Sequence, residues 1–388
     1  MKNILIAIRS IFKKGRHNVM KIVSLGIGLA VGLVLIAKVY FEQSYDDFYP
    51  DRDRVYQVWA KYQQNGGELK DYPQTSGGIA PTMQQQIPEI ETVTRYTSFG
   101  DWTFTMTDTK MKYSGRCIIA DSCFFDILPR PMLIGNAKEV LSTPMYVLIS
   151  SRIAKNIGGD VIGKNFTVDS SPGRTMTIGG VFEEVPENSH SRYDVIVSMA
   201  SAGRFMWEGS PTNMLGNDRY ISYVKLHKGV NPLALEEQVH TFVNSYFPPE
   251  EQQKTGFNIG FSFHELDGLH KELPQVKRMT WILSLLAFAL IFTAVMNYIL
   301  IVISSIVNRS KEVAVHKCYG ASENNIHGMM FGEALVHIVL SLILALLLIL
   351  AFRGTVEELL ATSLDSLLLS NGSLVLLGIC ILVFFVSG

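Results

Sequence analysis

Long, nearly uninterrupted apolar runs restrict this chain more than any other feature, because no water-soluble fold has enough interior to hide them all. A run of about 18 or more residues is long enough to cross a ~30 Å hydrocarbon layer as a helix. The first such run is Val19 to Phe41, with Lys21 and Lys38 near its ends, where long side chains are expected to snorkel toward the interface. Its length, its continuation into Tyr40 and Phe41, and the lack of a small-x-small cleavage site favour an uncleaved anchor over a signal peptide. The second run, Trp281 to Val307, opens on an interfacial Trp and is followed by Arg309. Its one notable polar residue, Asn297, is expected to make a helix–helix hydrogen bond. The third covers Ala334 to Phe352 and the fourth begins at Ser373 and is still apolar at Gly388. Residues 373–388, at ~1.5 Å each, reach only about 24 Å. The expectation is therefore a last span completed by residues beyond Gly388.

Basic residues near the span ends orient the chain. The first 21 residues carry Lys2, Arg9, Lys13, Lys14, Arg16 and Lys21 and no acid. Arg309, Lys311 and Lys317 follow the second span, whereas the connection after the third has Arg353 against Glu357, Glu358 and Asp365. This places the N-terminus and the 308–333 loop in the cytoplasm and everything from 42 to 277 outside.

That outer segment has no run long enough to span and reads as a mixed α/β domain of about 230 residues, enough for its own core. Alternation over Arg54 to Tyr62 predicts a half-buried strand, as do Thr92 to Thr107, Lys110 to Ala120, Arg174 to Glu184, Arg219 to His227 and Asn258 to Glu265. Gly78 to Ile90 and Pro232 to Tyr246 predict helices, and Val140 to Gly158 a strand followed by a helix. The fold class is thus an α-helical bundle of four spans, the last incomplete, with a large mixed α/β extracytoplasmic domain inserted between spans one and two. The whole-chain values, 48% hydrophobic and 18% charged, fit such a division into greasy and wet parts. A net charge of −1 argues against nucleic acid as a partner. Cys117 and Cys123 both fall in the outer domain, where a disulfide and two separate thiols are both open.

Two segments approach catalytic motifs and fail on chemistry. Residues 158–165, GGDVIGKN, lack the terminal hydroxyl of a nucleotide-binding loop, since Asn165 stands where Mg²⁺ needs Ser or Thr. The loop is also expected to follow a helix and open a strand, the reverse of what phosphate binding needs. His264, Glu265 and His270 hint at a zinc site, but the histidines are six apart rather than four. No catalytic, cofactor or metal residues are assigned.

The 308–333 loop carries the specific signal. RSKEVAVHKCYGASENNIHGMMFGE, from Arg309 to Glu333, reads as a short helix, a break at Gly320, and an amphipathic helix capped by Ser322. By composition alone, a basic headgroup-facing helix and a partner-docking helix are equally suited. Here the chain resembles the FtsX/MacB-like family of ABC transporter permeases, whose signature is matched by Arg309, Glu312, Lys317, Gly320, Ala321 and Ser322, with Glu333 at the head of the next span. ADSCFFDIL from Ala120, Ile162-Gly163-Lys164, and GVFEEVPENSHSRYD from Gly180 resemble the family's periplasmic core. The style resembles the long Bacteroidetes-type members, which duplicate this unit, so that these residues would be one half.

The resemblance implies a domain layout of cytoplasmic segment (1–18), span (19–41), MacB-like periplasmic core (42–277) and FtsX-like permease domain (278–388; spans near 281–307, 334–352 and 373–388). It implies an inner-membrane location, a separate cytoplasmic ABC ATPase, a second permease half or homodimer, and a periplasmic adaptor as a further partner besides the bilayer. Arg309, Lys311, Glu312, Lys317 and Tyr319 would contact the ATPase, with Gly320, Ala321 and Ser322 forming the turn. The implied activity is export of a peptide, antibiotic, lipoprotein or other hydrophobic substrate. The alternative is an FtsX-like regulatory scaffold that activates an extracytoplasmic cell-wall hydrolase.

Overall fold

The computed structural model describes residues 18–318, 323–368 and 378. It divides into a unit built from Met1–Ser44 with Lys271–Gly388 and a second unit, Tyr45–His270. In chain order the elements are α1 (Asn18–Gln43), β1 (Val55–Gln64), β2 (Lys70–Tyr72), α2 (Ile79–Gln86), β3 (Ile90–Met106), β4 (Lys112–Ala120), α3 (Phe124–Ile127), β5 (Met132–Ile134) and α4 (Ala137–Ser142). There follow β6 (Tyr146–Ser150), α5 (Ser151–Ile157), β7 (Asn165–Val168), β8 (Ser171–Phe182), β9 (Val195–Ser198), β10 (Ile221–Leu226), α6 (Glu236–Tyr246), α7 (Pro249–Thr255) and β11 (Phe257–Glu265). The chain continues through α8 (Gly268–Lys271), α9 (Pro274–Cys318), α10 (Glu323–Ala351), α11 (Arg353–Leu360) and α12 (Leu364–Leu368).

All strands of the Tyr45–His270 unit join one sheet of order β11-β1-β10-β3-β4-β9-β6-β8-β5, with β2 on β1 and β7 joined to both β3 and β8. The antiparallel set β11-β1-β10-β3, with α2 between β1 and β3 and α6 between β10 and β11, has split βαβ, ferredoxin-like topology. The double pairing of β7 closes β3, β4, β9, β6, β8 and β7 into a ring, a small barrel inserted between the second and third strands of the first motif. Strand β3 belongs to both parts: Ile90–Tyr96 pairs with β10, and Tyr96–Thr105 with β4. The junction is marked by a register shift between Ser98 and Gly100, where Gly100 takes φ +74°.

Three cores follow from this layout. Phe104, Cys117, Ile119, Val147, Phe166 and Ile178 fill the barrel. Val58, Met83, Val224, Val239 and Phe242 lie between the four-stranded sheet and its two helices. On the opposite face of that sheet Tyr49, Tyr96, Tyr223, Phe124, Phe182 and Tyr193 make an aromatic-rich third core that also covers one side of the barrel. Cys117 is buried and Cys123 half-buried, and both thiols are free.

In the other unit, two described helical segments are long and apolar enough to cross a membrane, Asn18–Gln43 and Pro274–Leu300. A third crossing is available if Leu335–Ala351 and Arg353–Leu360, bent by 70°, form one broken span. The expected fourth span and the basic residues 1–17 lie outside the described residues. The 353–372 connection, expected to be a simple loop, contains α11 and α12. The short helix expected after span two is instead the end of α9, whose 45 residues extend about 67 Å at ~1.5 Å each.

Leu25, Leu29 and Ala30 of α1 pack with Ala294 and Tyr298 of α9 and Ile338, Ala345 and Ile349 of α10. Glycines permit the close approach. A Cβ at Gly28 would meet the Ala294 Cβ at 2.3 Å, and one at Gly32 would meet Ile291 Cγ1 at 2.5 Å. Neither expected snorkelling lysine reaches outward: Lys21 is 2% and Lys38 7% exposed. Asn297 is exposed, and its neighbour Tyr298 holds the packed position.

Candidate functional site

The chain leaves α1 at Gln43 and enters the Tyr45–His270 unit through a tight turn, residues 44–48. Phe48 and Tyr49 supply the apolar drive, Tyr49 being 2% exposed in the aromatic core. Between α1 and that anchor sits Asp46, 1% exposed and with φ +59°, a conformation uncommon for a residue with a Cβ. A buried carboxylate needs partners, and the loop between β8 and β9 supplies them. Ser189 Oγ donates to Asp46 Oδ1 at 3.0 Å, the His190 main-chain N–H donates to the same oxygen at 3.3 Å, and His190 Nδ1 lies 2.7 Å from Oδ2. The Asp46 N–H in turn donates to the Asn188 carbonyl at 2.9 Å.

The far nitrogen of the ring, His190 Nε2, lies 2.5 Å from the Tyr223 hydroxyl on β10. With Nδ1 protonated toward Asp46, Nε2 accepts from Tyr223 and both ring nitrogens are satisfied. Tyr96 and Ser191 share a hydrogen bond beside them, and Tyr96 stacks on Tyr223. The order carboxylate–imidazole–hydroxyl is that of a nucleophile relay. It cannot act as one, because Tyr223 is 0% exposed and burial pushes its phenol well above the ordinary tyrosine range. The arrangement instead ties three pieces together: the segment leaving α1, the barrel-borne loop 188–191, and strand β10 of the sheet.

Further contacts clasp the incoming and outgoing segments of this unit. Tyr45 and His270, its first and last residues, stack with ring centroids 3.4 Å apart. Arg52 bridges Asp47 at 2.7 Å and Asp267 at 3.3 Å, and the Leu266 N–H donates to the Val55 carbonyl. The Arg130 guanidinium lies over the Phe48 ring and bonds Glu183 and the Glu184 carbonyl. In the other unit Lys38 pairs with Glu42 at 2.6 Å and donates to Thr362 at 2.8 Å, which holds the turn between α11 and α12 to α1.

The residues singled out for ATPase contact are distributed as follows. Arg309, Lys311, Glu312 and Lys317 lie on the last turns of α9, while Tyr319, Gly320, Ala321 and Ser322 lie outside the described residues. The GGDVIGKN loop follows α5 and opens β7, so it does not lead into a helix N-terminus as a phosphate-binding loop does. His264 stacks on Trp59 and contacts Ser262, and burial holds its imidazole below the usual histidine range. With His270 against Tyr45, the two histidines serve separate contacts, and no metal-binding group occurs among the described residues. Missed from sequence were the Asp46–His190 pair, although His190 lies inside the GVFEEVPENSHSRYD segment, and the Gly28-x₃-Gly32 spacing of a close helix contact.

Comparison with known proteins gives two family matches and several similar structures. Residues 20–242 match the MacB-like periplasmic core domain, and residues 284–388 match the FtsX-like permease C-terminal domain. A crystallised domain of a Porphyromonas gingivalis protein described as a permease is 33% identical, with a TM-score of 0.51, covering 56% of this chain and 91% of its own. The periplasmic region of MacB from Actinobacillus actinomycetemcomitans is 15% identical over 53% of this chain and 87% of its own, with a TM-score of 0.37. The extracellular domain of the noncanonic ABC-type transporter YknZ from Gram-positive bacteria is 11% identical over 53% and 98%, with a TM-score of 0.36. No curated protein matches the chain. A MacB-like core over more than half its length, followed by an FtsX-like permease segment, makes this chain a member of the FtsX/MacB-like family of ABC transporter permeases.

Proposed function

We propose that this chain is the permease subunit of an exporter, passing ATP-driven motion of a separate cytoplasmic ATPase to its own outer domain. One observation carries the reading: a MacB-like core and an FtsX-like permease segment occur in one chain, in that order. The cargo is a peptide, antibiotic, lipoprotein or other hydrophobic molecule handled at the outer face of an inner membrane, with the N-terminus cytoplasmic. A second permease half or a second copy completes the membrane part, and an adaptor is a partner on the outer side. The positive charge of Arg309, Lys311 and Lys317, with Glu312 among them, suits a contact to a cytoplasmic protein surface. Tyr319, Gly320, Ala321 and Ser322 belong to the same proposed contact segment.

The test is reconstitution of the chain in nanodiscs with the ATPase that co-purifies with it. Charge reversal at Lys311 and Lys317 is expected to weaken the complex and lower its ATPase rate. An unaltered complex and rate would remove the docking assignment. Sensitivity of a deletion strain to exported toxins supports transport, whereas a defect confined to cell separation supports the regulatory scaffold.

A further inference from the structure

We propose that Asp46 and His190 are positioning residues forming a three-way joint, which carries displacement of α1 into both the sheet and the barrel of the outer domain. This rests on the ATPase-coupled reading above. Asp46 follows the last residue of α1 by three positions, so the connecting chain has at most about 10 Å of reach and little slack. A flexible stem would need no buried carboxylate and no left-handed aspartate. Asp46 has both, and its conformation is held by Ser189 and by two groups of His190.

The partners decide what such a joint moves. Residues 188–191 belong to the connection between β8 and β9, both barrel strands. Tyr223 lies on β10, which pairs with β1 on one side and with the shared strand β3 on the other. His190 thus bonds the stem residue on one ring nitrogen and the central sheet on the other. Tyr49 anchors the same segment by non-directional packing, whereas directional hydrogen bonds to a buried charge fix one geometry.

The experiment is hydrogen–deuterium exchange on the full chain with its ATPase in nanodiscs, comparing ATP-vanadate with ADP. The wild type is expected to show nucleotide-dependent exchange at 45–49, at 188–191 and at β10. His190→Ala is expected to keep the difference at 45–49 and lose it at β10. Tyr223→Phe removes only a hydroxyl and is expected to lose the difference at β10 in the same way. Asp46→Asn keeps an acceptor for Ser189 and can donate to Nδ1 while the ring's other N–H turns to Tyr223, so transmission is expected to survive. Exchange at β6 and β9 that matches the wild type in the ADP state establishes that each variant has folded. A wild-type difference at β10 in folded His190→Ala and Tyr223→Phe overturns the joint and leaves the ATPase coupling standing. No nucleotide-dependent difference anywhere in the wild type overturns both.

Discussion

Lys38 and Glu42 stand one turn apart at the end of α1 with Nζ 2.6 Å from Oε1, both under 10% exposed. Taking two charges out of water costs several kcal/mol, offset here by their attraction and by the bond from Lys38 to Thr362. Lys38→Met alone removes the cation beside a buried carboxylate, and is expected to destabilise the membrane unit by about 3–5 kcal/mol. Lys38→Met combined with Glu42→Leu restores most of the loss, because both charges of the pair are removed together. Thermal unfolding of the full chain in detergent checks this. A double variant as damaged as the single one would show that the pair itself is not what matters.

A second prediction concerns acid. Lys225 donates to Asp51 at 2.5 Å and Arg54 to Glu91 at 2.6 Å. These cationic partners hold both carboxyls below the usual carboxylate range, Asp51 chiefly through Lys225 and Glu91 chiefly through Arg54. A carboxyl whose folded value is depressed adds stability above its unfolded pKa, near 4, and loses it as pH falls through the lower folded value. Both side chains are more than a third exposed, so solvent screening limits the sum to about 1 kcal/mol or less. Lys225→Met is therefore expected to be slightly less stable than wild type at pH 7 and to converge on it as pH falls below the ordinary carboxylate range, about 4. Parallel melting curves across that range would contradict the assignment.

The cysteines give a third test. The Cys117 thiol lies inside the barrel, and burial raises its pKa well above the usual thiol range. Cys123 is half-buried and donates to the Val93 carbonyl at 3.1 Å, and burial raises its pKa as well. A thiol is reactive through its thiolate, so both should resist alkylation in the native state. Cys318 is exposed. Maleimide labelling mapped by peptide mass spectrometry is expected to modify Cys318 within minutes and Cys117 only after denaturation. A mass consistent with a Cys117–Cys123 bond in unreduced protein would contradict the free thiols.

Local pattern carried β1, β4 and β11, which are nine or ten residues long and carry β-branched and aromatic side chains, although Val55–Val58 of β1 are all buried because both faces of that sheet are covered. It did not carry β7 or β9, whose four residues are too few to show a period. Nor could it show that β3 serves both a sheet and a barrel, since pairing partners are set by contacts distant in sequence. The site illustrates the same limit. Asp46 and His190 are separated by 144 positions and neither belongs to a motif whose spacing implies the other. Membrane helices are visible as composition, but the burial of Lys38 depends on Thr362, beyond the reach of any window along the chain.

The close contact of α1 with α9 yields the last prediction. With no hydrophobic drive between helices in lipid, their association depends on packing, and Gly28 lets the backbones approach. An added Cβ would fall 2.3 Å from the Ala294 Cβ, so the helices must separate. Gly28→Val is expected to cost about 1–3 kcal/mol through overpacking. Ala294→Gly removes the opposing methyl, and in the Gly28→Val background it should recover part of that loss although it is itself unfavourable in a helix. Gly354 has open space around its would-be Cβ, so Gly354→Ala serves as a control and should stay within about 0.5 kcal/mol of wild type or gain slightly. Full-chain thermal unfolding in one detergent orders the four proteins. A Gly28→Val variant as stable as the Gly354→Ala control would mean that α1 and α9 do not pack through this face.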